Sequence, residues 1–217
     1  MDSAIPAYHT SVELAVGLFA SIAPERLGDE LLALARSCPS LGIGVHEMPR
    51  AALQTALEAD ELQLAVMPGP ERPGLQSALL WVDRVMVAMS KDHPLAQYPV
   101  VTPEQLRDQP FLISRQQHGS DMHRFLSHCI RPLMPALSGV LIDLSPSRLM
   151  ARVAEGDGLA LVCRSHIEGL RDDLVVLPVD YSGAVFPVHA YWKAEAPAWP
   201  LSELIRILLA RNPAGAA

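Results

Sequence analysis

The feature that most constrains this chain is the alternation of short apolar runs and amphipathic segments in its first third. Three apolar runs are typical of strands. The two segments between them carry apolar residues three or four positions apart, as helices do. In chain order these segments are residues 12–18, 24–36, 41–47, 50–60 and 62–67. Strands that alternate with helices favour a parallel sheet with crossover helices, so the sequence predicts an α/β fold.

The second half repeats this alternation. Residues 80–89 are apolar enough for one or two strands, and Thr102, Pro103 and Gln105 have the spacing of a helix start with a capping box. Further strands are predicted at residues 111–114, 139–144, 159–162, 175–177 and 188–192, and further helices at 120–131, 146–155 and 199–209. Two such groups in 217 residues favour two small α/β lobes over one continuous sheet.

Composition narrows the possible functions. Half of the residues are hydrophobic, which is enough for a core and excludes an intrinsically disordered chain. The net charge is −7, and the basic residues are scattered, with only Lys91 and Lys193 as lysines. A surface that binds nucleic acid is usually basic, so we expect this chain alone not to bind DNA.

The sequence also bears on the compartment. The apolar run at residues 14–23 has no Lys or Arg before it, unlike a secretion signal, and no run reaches the ~18–20 apolar residues of a membrane span. Three widely spaced cysteines do not form a disulfide framework. We therefore expect a soluble cytoplasmic protein with no membrane partner.

Ligands of open parallel sheets bind beyond the carboxyl ends of the strands, beside helix N-termini that attract anions. Two turns have this position: Phe19 to Ser21 after the first strand, and Ser145 to Ser147 before a later helix. Ser21 and Ser147 are also suited to plain helix capping, and Phe19 to the core. Arg115, directly after a buried strand, is suited either to binding an anion in a bidentate manner or to solvent.

Metal binding and catalysis are less well supported. His118, His123 and His128 are five residues apart, which places successive side chains about 140° apart on a helix, so we expect no metal and no cofactor. Ser114 with Asp121 and a neighbouring histidine has the composition of a catalytic triad. However, the G-x-S-x-G turn of serine hydrolases is missing.

Five segments in this order resemble the effector-binding domain of LysR-type transcriptional regulators. They include the strand–turn–helix at the start, the stretch ALEADELQLAV, the stretch SKDHPLA, the strand start QPFLI and the helix–glycine–strand unit LMARVAEGDGLALVC. Their positions are residues 14–34, 56–66, 90–96, 109–113 and 149–163.

The resemblance implies two Rossmann-like lobes, similar to type-2 periplasmic binding proteins, with a ligand cleft between them. Lobe I would comprise residues 12–89 plus 190–211, and lobe II residues 90–189. Residues 1–11 would be a tail or a truncated linker. The family's DNA-binding winged helix-turn-helix is absent from this chain, so we expect a fragment of a longer regulator.

The resemblance also implies a function. The chain would not be an enzyme, and it would bind a small anionic metabolite between the lobes. Effector contacts carry over to Ser21, Ser114, Ser147, Met67 and Pro68. With Phe19, Arg115 and Val162 these residues form the predicted ligand site.

The family's domains pair antiparallel as homodimers, and the full-length protein would form a dimer or tetramer that contacts DNA through the missing domain. Here the pairing would use the helices at 24–36 and 120–131, which carry Leu27, Leu31, Met122 and Phe125. The alternatives are a solute-binding protein of the same fold and a small hydrolase that uses Ser114.

Overall fold

The computed structural model describes residues 12–19, 24–116, 118–130, 139–166, 172–193 and 195–211. The strands are β1 (Val12–Phe19), β2 (Leu41–Met48), β3 (Leu64–Pro68), β4 (Gln76–Ser90), β5 (Phe111–Ser114), β6 (Gly139–Ile142), β7 (Ala160–Cys163), β8 (Leu174–Pro178) and β9 (Val185–Trp192). The helices are α1 (Pro24–Ser37), α2 (Arg50–Glu58), α3 (Pro103–Leu106), α4 (Gly119–Ile130), α5 (Pro146–Ala154) and α6 (Leu201–Arg211). The predicted tail, residues 1–11, lies outside the described residues.

The α/β prediction is confirmed, with the strand–helix alternation of the first third at the expected places. Two strands are at least three residues longer than predicted. The run at residues 80–89 belongs to one fifteen-residue strand, β4, and β9 begins at Val185 rather than at Val188. The capping box is present: the Thr102 hydroxyl accepts from the Gln105 amide, and the Gln105 side chain accepts from the Thr102 amide. It begins a helix of only four residues.

Strand β4 joins two groups of strands. Strand β1 is parallel to β2 and β3, and β9 is antiparallel to β3. Residues 76–84 of β4 pair with β9, whereas residues 85–90 pair with β7 and β8. Strands β5 and β6 are parallel, and Phe111 bridges to Leu159 beside β7. Strand β4 changes partners between Arg84 and Val85, five residues before the predicted first lobe boundary. The predicted division at 89/90 and 189/190 stays a prediction.

A buried carboxylate lies where β4 changes partners. Asp83 is 3% exposed and accepts hydrogen bonds from the Arg84 amide at 2.8 Å and the Trp81 indole at 3.4 Å. It also accepts from the amide of Ser165 at 3.3 Å and from its hydroxyl at 2.6 Å. Because Ser165 follows β7, these bonds fasten the second group of strands to the middle of β4.

Most of the apolar residues from which dimer helices were predicted are not available for pairing. Leu27, Leu31 and Met122 are buried in the main core of the chain itself, since α1 packs against α6 and α4 against β7. These side chains therefore offer no free apolar face. The pairing itself stays a prediction. Among the described residues, no helix is long and apolar enough to span a membrane.

Candidate functional site

A cleft of about 1150 Å³ lies between α2 and α4. Its α2 side includes Arg50, Gln54 and, from the loop after β3, Arg72. Its other side is formed by residues 120–128 of α4 together with residues of β5 and β6. This volume is slightly above the ~300–1,000 Å³ of typical small-molecule sites, so the cleft has room for a small ligand. The cleft is therefore the candidate ligand site.

Aromatic rings hold the two sides of the cleft together. Phe125 of α4 packs edge-on against Phe19 at the end of β1, with ring centroids 5.8 Å apart. It also packs edge-on against Phe186 of β9 at 5.0 Å. The Arg50 guanidinium lies 5.4 Å from the Phe125 centroid, within the range of a cation–π contact. Phe125 thus links α4 to α2, β1 and β9.

Two arginines converge at the carboxyl end of β3. Arg50 is the first residue of α2, and its Nη2 would lie 3.2 Å from a Cβ placed at Gly69, whose φ is +133°. Arg72 follows the same turn and lies 5.9 Å from the Tyr191 ring centroid. The Tyr191 hydroxyl is 2.9 Å from the Gly69 carbonyl and 2.8 Å from that of Pro70, so it fixes the turn.

These arginines are held without a carboxylate partner among the described residues. The Arg72 Nη1 donates to Oε1 of Gln54, a neutral amide. Burial lowers the pKa of Arg50, and the charge of Arg72 lowers it further. Two guanidinium groups therefore repel each other at this end of the cleft. An anion bound between them would relieve that repulsion.

Apart from Arg50 and Arg72, the described charged residues that line the cleft are one acid and one base. Asp121 is the only acidic side chain among the described residues that line it, and Arg124 lies 3.6 Å from Asp121. Burial lowers the pKa of His123 to about 4, so its ring is neutral near pH 7. Three arginines and one aspartate leave a formal charge of +2 in the lining of a chain whose net charge is −7.

Three polar atoms of the lining are buried and lack a hydrogen-bond partner among the described residues. They are Nε of Arg72, Nδ1 of His123 and Oγ of Ser127. Leaving such a group unpaired costs about 1–3 kcal/mol. His123 and Ser127 are one turn apart on α4, and both line the cleft.

Of the eight residues predicted to form the ligand site, the structure places one, Phe19, in the wall of the cleft. Ser21 lies outside the described residues. Met67 and Pro68 are buried in β3, and Val162 of β7 packs against the smaller core cluster. The effector-contact role of these residues stays a prediction.

Three predicted residues at the ends of β5 and α5 do not line the cleft, although the Ser114 carbonyl accepts from the hydroxyl of the lining residue Ser120 at 3.1 Å. The Ser114 hydroxyl is buried, donates to the Leu144 carbonyl at 2.6 Å and accepts from the Gln116 amide at 3.0 Å. Arg115 is exposed, and Ser147 is exposed in the first turn of α5. Because backbone groups occupy the Ser114 hydroxyl, the geometry gives no support to a hydrolase that uses it.

The reasoning from sequence missed Arg50, Arg72 and Phe125. A signal for the first two was present, since Arg50 begins a helix after a predicted strand and Arg72 follows the turn that ends another. His123 and His128 lie in the cleft wall. Among the described residues, no group of three or more His, Cys, Asp or Glu side chains is placed to hold a metal ion.

The fold defines the class of this protein: an α/β domain with a periplasmic-binding-protein-like arrangement. The family description "LysR substrate binding domain" matches residues 9–213, nearly the whole chain. The chain therefore belongs to the LysR substrate-binding domain family of transcriptional regulators, as the sequence resemblance predicts.

Solved structures agree on the fold. The chain is similar to a full-length BenM E226K mutant, with 20% identity, a TM-score of 0.78 and coverage of 96% of this chain and 70% of that one. It is also similar to the BenM effector-binding domain with its effector benzoate, with 21% identity, a TM-score of 0.73 and coverage of 94% and 95%. The C-terminal domain of a probable LysR family regulator from Rhodococcus sp. RHA1 is 24% identical, with a TM-score of 0.73 and coverage of 91% and 98%. No curated protein matches the chain.

Proposed function

We propose that this domain senses a small anionic metabolite bound in the cleft between α2 and α4. The observation that carries the proposal is the pair Arg50 and Arg72, two half-buried guanidinium groups that line the cleft with no carboxylate partner among the described residues. The similar BenM domain has benzoate, a carboxylate, as its effector, which supports an anion as the ligand class.

The position of the cleft suggests how binding is transmitted. The lining comes from α2, the end of β1 and the loop after β3 on one side, and from α4, β5 and β6 on the other. A ligand that contacts both sides stabilises the arrangement in which those contacts are made. It shifts the population of orientations by its difference in affinity between them. In a regulator this shift is the signal.

We also propose the setting in which the domain acts. The full-length protein would be a cytoplasmic homo-oligomer, a dimer or tetramer, that contacts DNA through a separate domain. The acidic charge of this chain supports that division, since −7 does not suit a phosphate-binding surface. Whether the regulator activates or represses, the ligand-dependent shift would act on DNA binding through the oligomer.

The experiment is a thermal-shift screen of small carboxylates and phosphates on three proteins. Ala51 lines the cleft, whereas its exposed neighbour Ala52 does not, so Ala51→Trp fills the site and Ala52→Trp is its matched control. We expect some anions to raise the melting temperature of the wild type and of Ala52→Trp but not of Ala51→Trp. Anions that stabilise all three proteins equally would contradict binding in this cleft.

A further inference from the structure

The arginine pair specifies more than the sign of the ligand's charge. Resting on the proposed function, we propose that the cleft selects ligands whose anionic head carries two negative charges, held between Arg50 and Arg72. A phosphate monoester and a pair of neighbouring carboxylates share this chemistry. A ligand with one carboxylate would leave one guanidinium uncompensated.

The charge balance of the cleft supports a doubly charged head. Arg124 already has Asp121 at 3.6 Å, so the uncompensated charge belongs to Arg50 and Arg72. Both guanidinium groups lie against the turn at Gly69 and Pro70, since Arg50 approaches Gly69 and Arg72 lies beside the ring of Tyr191. Glu71 is exposed and does not line the cleft; it lines a neighbouring depression that Arg72 also borders.

Gln54 orients Arg72 without neutralising its charge. Its Oε1 accepts from Nη1 of Arg72, and its Nε2 donates to Oε1 of Glu58 at 3.0 Å. Glu58 is thus directed at the amide of Gln54 and not at the arginine. A glutamate in place of Gln54 would form an ion pair with Arg72 and cancel half of the uncompensated charge. We therefore assign Gln54 as a positioning residue of the site.

The surroundings of the pair define the rest of the ligand. The Phe125 ring lies under Arg50, and Phe19 meets that ring edge-on. Across the cleft, Ile113 and Leu141 add apolar surface, and Leu141 is 48% exposed. A compact apolar body attached to the dianionic head fits this surface.

The test compares matched anions that differ by one charge: phthalate with benzoate, succinate with butyrate, and phenyl phosphate with benzoate. Affinities are measured by calorimetry at constant ionic strength and about pH 8, where a phosphate monoester carries nearly two charges. The proteins are the wild type, Gln54→Glu and Arg72→Gln. Gln97→Glu, an exposed change outside the cleft, controls for net charge.

We expect at least one dianion to bind the wild type about tenfold or more tightly than its partner, as one added charge-assisted contact gives. Gln54→Glu and Arg72→Gln should each remove most of this preference, and Gln97→Glu should keep it. A preference for the phosphate pair alone would identify a phosphate monoester as the head, and a preference for the carboxylate pairs alone would identify a dicarboxylate.

Three results would overturn the selection of dianions: equal affinities within every pair, an unchanged preference in Gln54→Glu, or no binding by any dianion. These results are distinct from failure of the proposed function. Monoanions that bind the wild type but not Ala51→Trp would preserve an anion-sensing cleft while removing the charge selection. If no anion of either charge binds, both proposals fall.

Discussion

Phe125 is the side chain through which α4 contacts both the end of β1 and β9, so its replacement tests how the two sides of the cleft are joined. Phe125→Leu keeps an apolar side chain but removes the edge-on contacts to Phe19 and Phe186 and the contact to Arg50. Each aromatic pair contributes about 0.5–1.5 kcal/mol beyond its buried area, and an exposed cation–π contact about 0.5–1 kcal/mol. We expect the free energy of unfolding to fall by about 2–3 kcal/mol, because leucine retains part of the packing.

The assay is urea denaturation, in which the midpoint should fall while the slope stays unchanged. For a domain of this size, the melting temperature should fall by about 2–4 °C per kcal/mol. A double-mutant cycle with Phe186→Leu separates the ring contact from general packing, and its expected coupling is about 0.5–1.5 kcal/mol. A loss below about 0.5 kcal/mol, the usual effect of a surface change, would refute the reasoning, and so would a coupling of zero.

Three other changes have defined outcomes. Asp83→Ala should destabilise the fold by roughly 3 kcal/mol and Ser165→Ala by less, since charge-assisted bonds are lost; equal denaturation midpoints for Asp83→Ala and the wild type would contradict this. Thr102→Ala should lower the free energy of unfolding by about 1 kcal/mol, because the capping box is lost. A change within experimental error would show that the cap does not stabilise the fold. The pKa of His123 is about 6.5 in the unfolded state and about 4 in the folded state. The free energy of unfolding should therefore fall as the pH drops from about 6.5 to about 4. In chemical denaturation at several pH values, His123→Gln should reduce the dependence of the free energy of unfolding on pH. An unchanged dependence would show that other groups cause it.

The elements of the fold could be predicted from sequence because their signals are local. Apolar runs bounded by Pro and Gly gave β3 and β5, and the Thr102 capping box gave the start of α3. The length of β4 was harder, because its outer residues contain polar positions that pair with β9. The five motifs between residues 14 and 163 correctly predicted that the chain belongs to the family, which matches residues 9–213.

The site depended on contacts between distant segments, which local patterns do not reveal. Arg50 and Arg72 are far apart in sequence and meet only because α2 starts beside the turn after β3. A polar residue after a buried strand suggested a ligand role for Ser114. In the fold, however, its hydroxyl is taken by the Leu144 carbonyl, thirty residues away. Leu27 and Leu31 of α1 suggested a dimer face, but they are buried in the core, where α1 packs against α6 from the other end of the chain; the dimer itself stays a prediction.

The central claim is that an anion binds between α2 and α4, and a crystal structure with the tightest-binding anion of the screen tests it most directly. The account predicts that the anionic head contacts the guanidinium groups of Arg50 and Arg72, with the body of the ligand beside Phe19 and Phe125. A ligand whose head lies at Arg115 and Ser147 instead, with the cleft between α2 and α4 unoccupied, would contradict it.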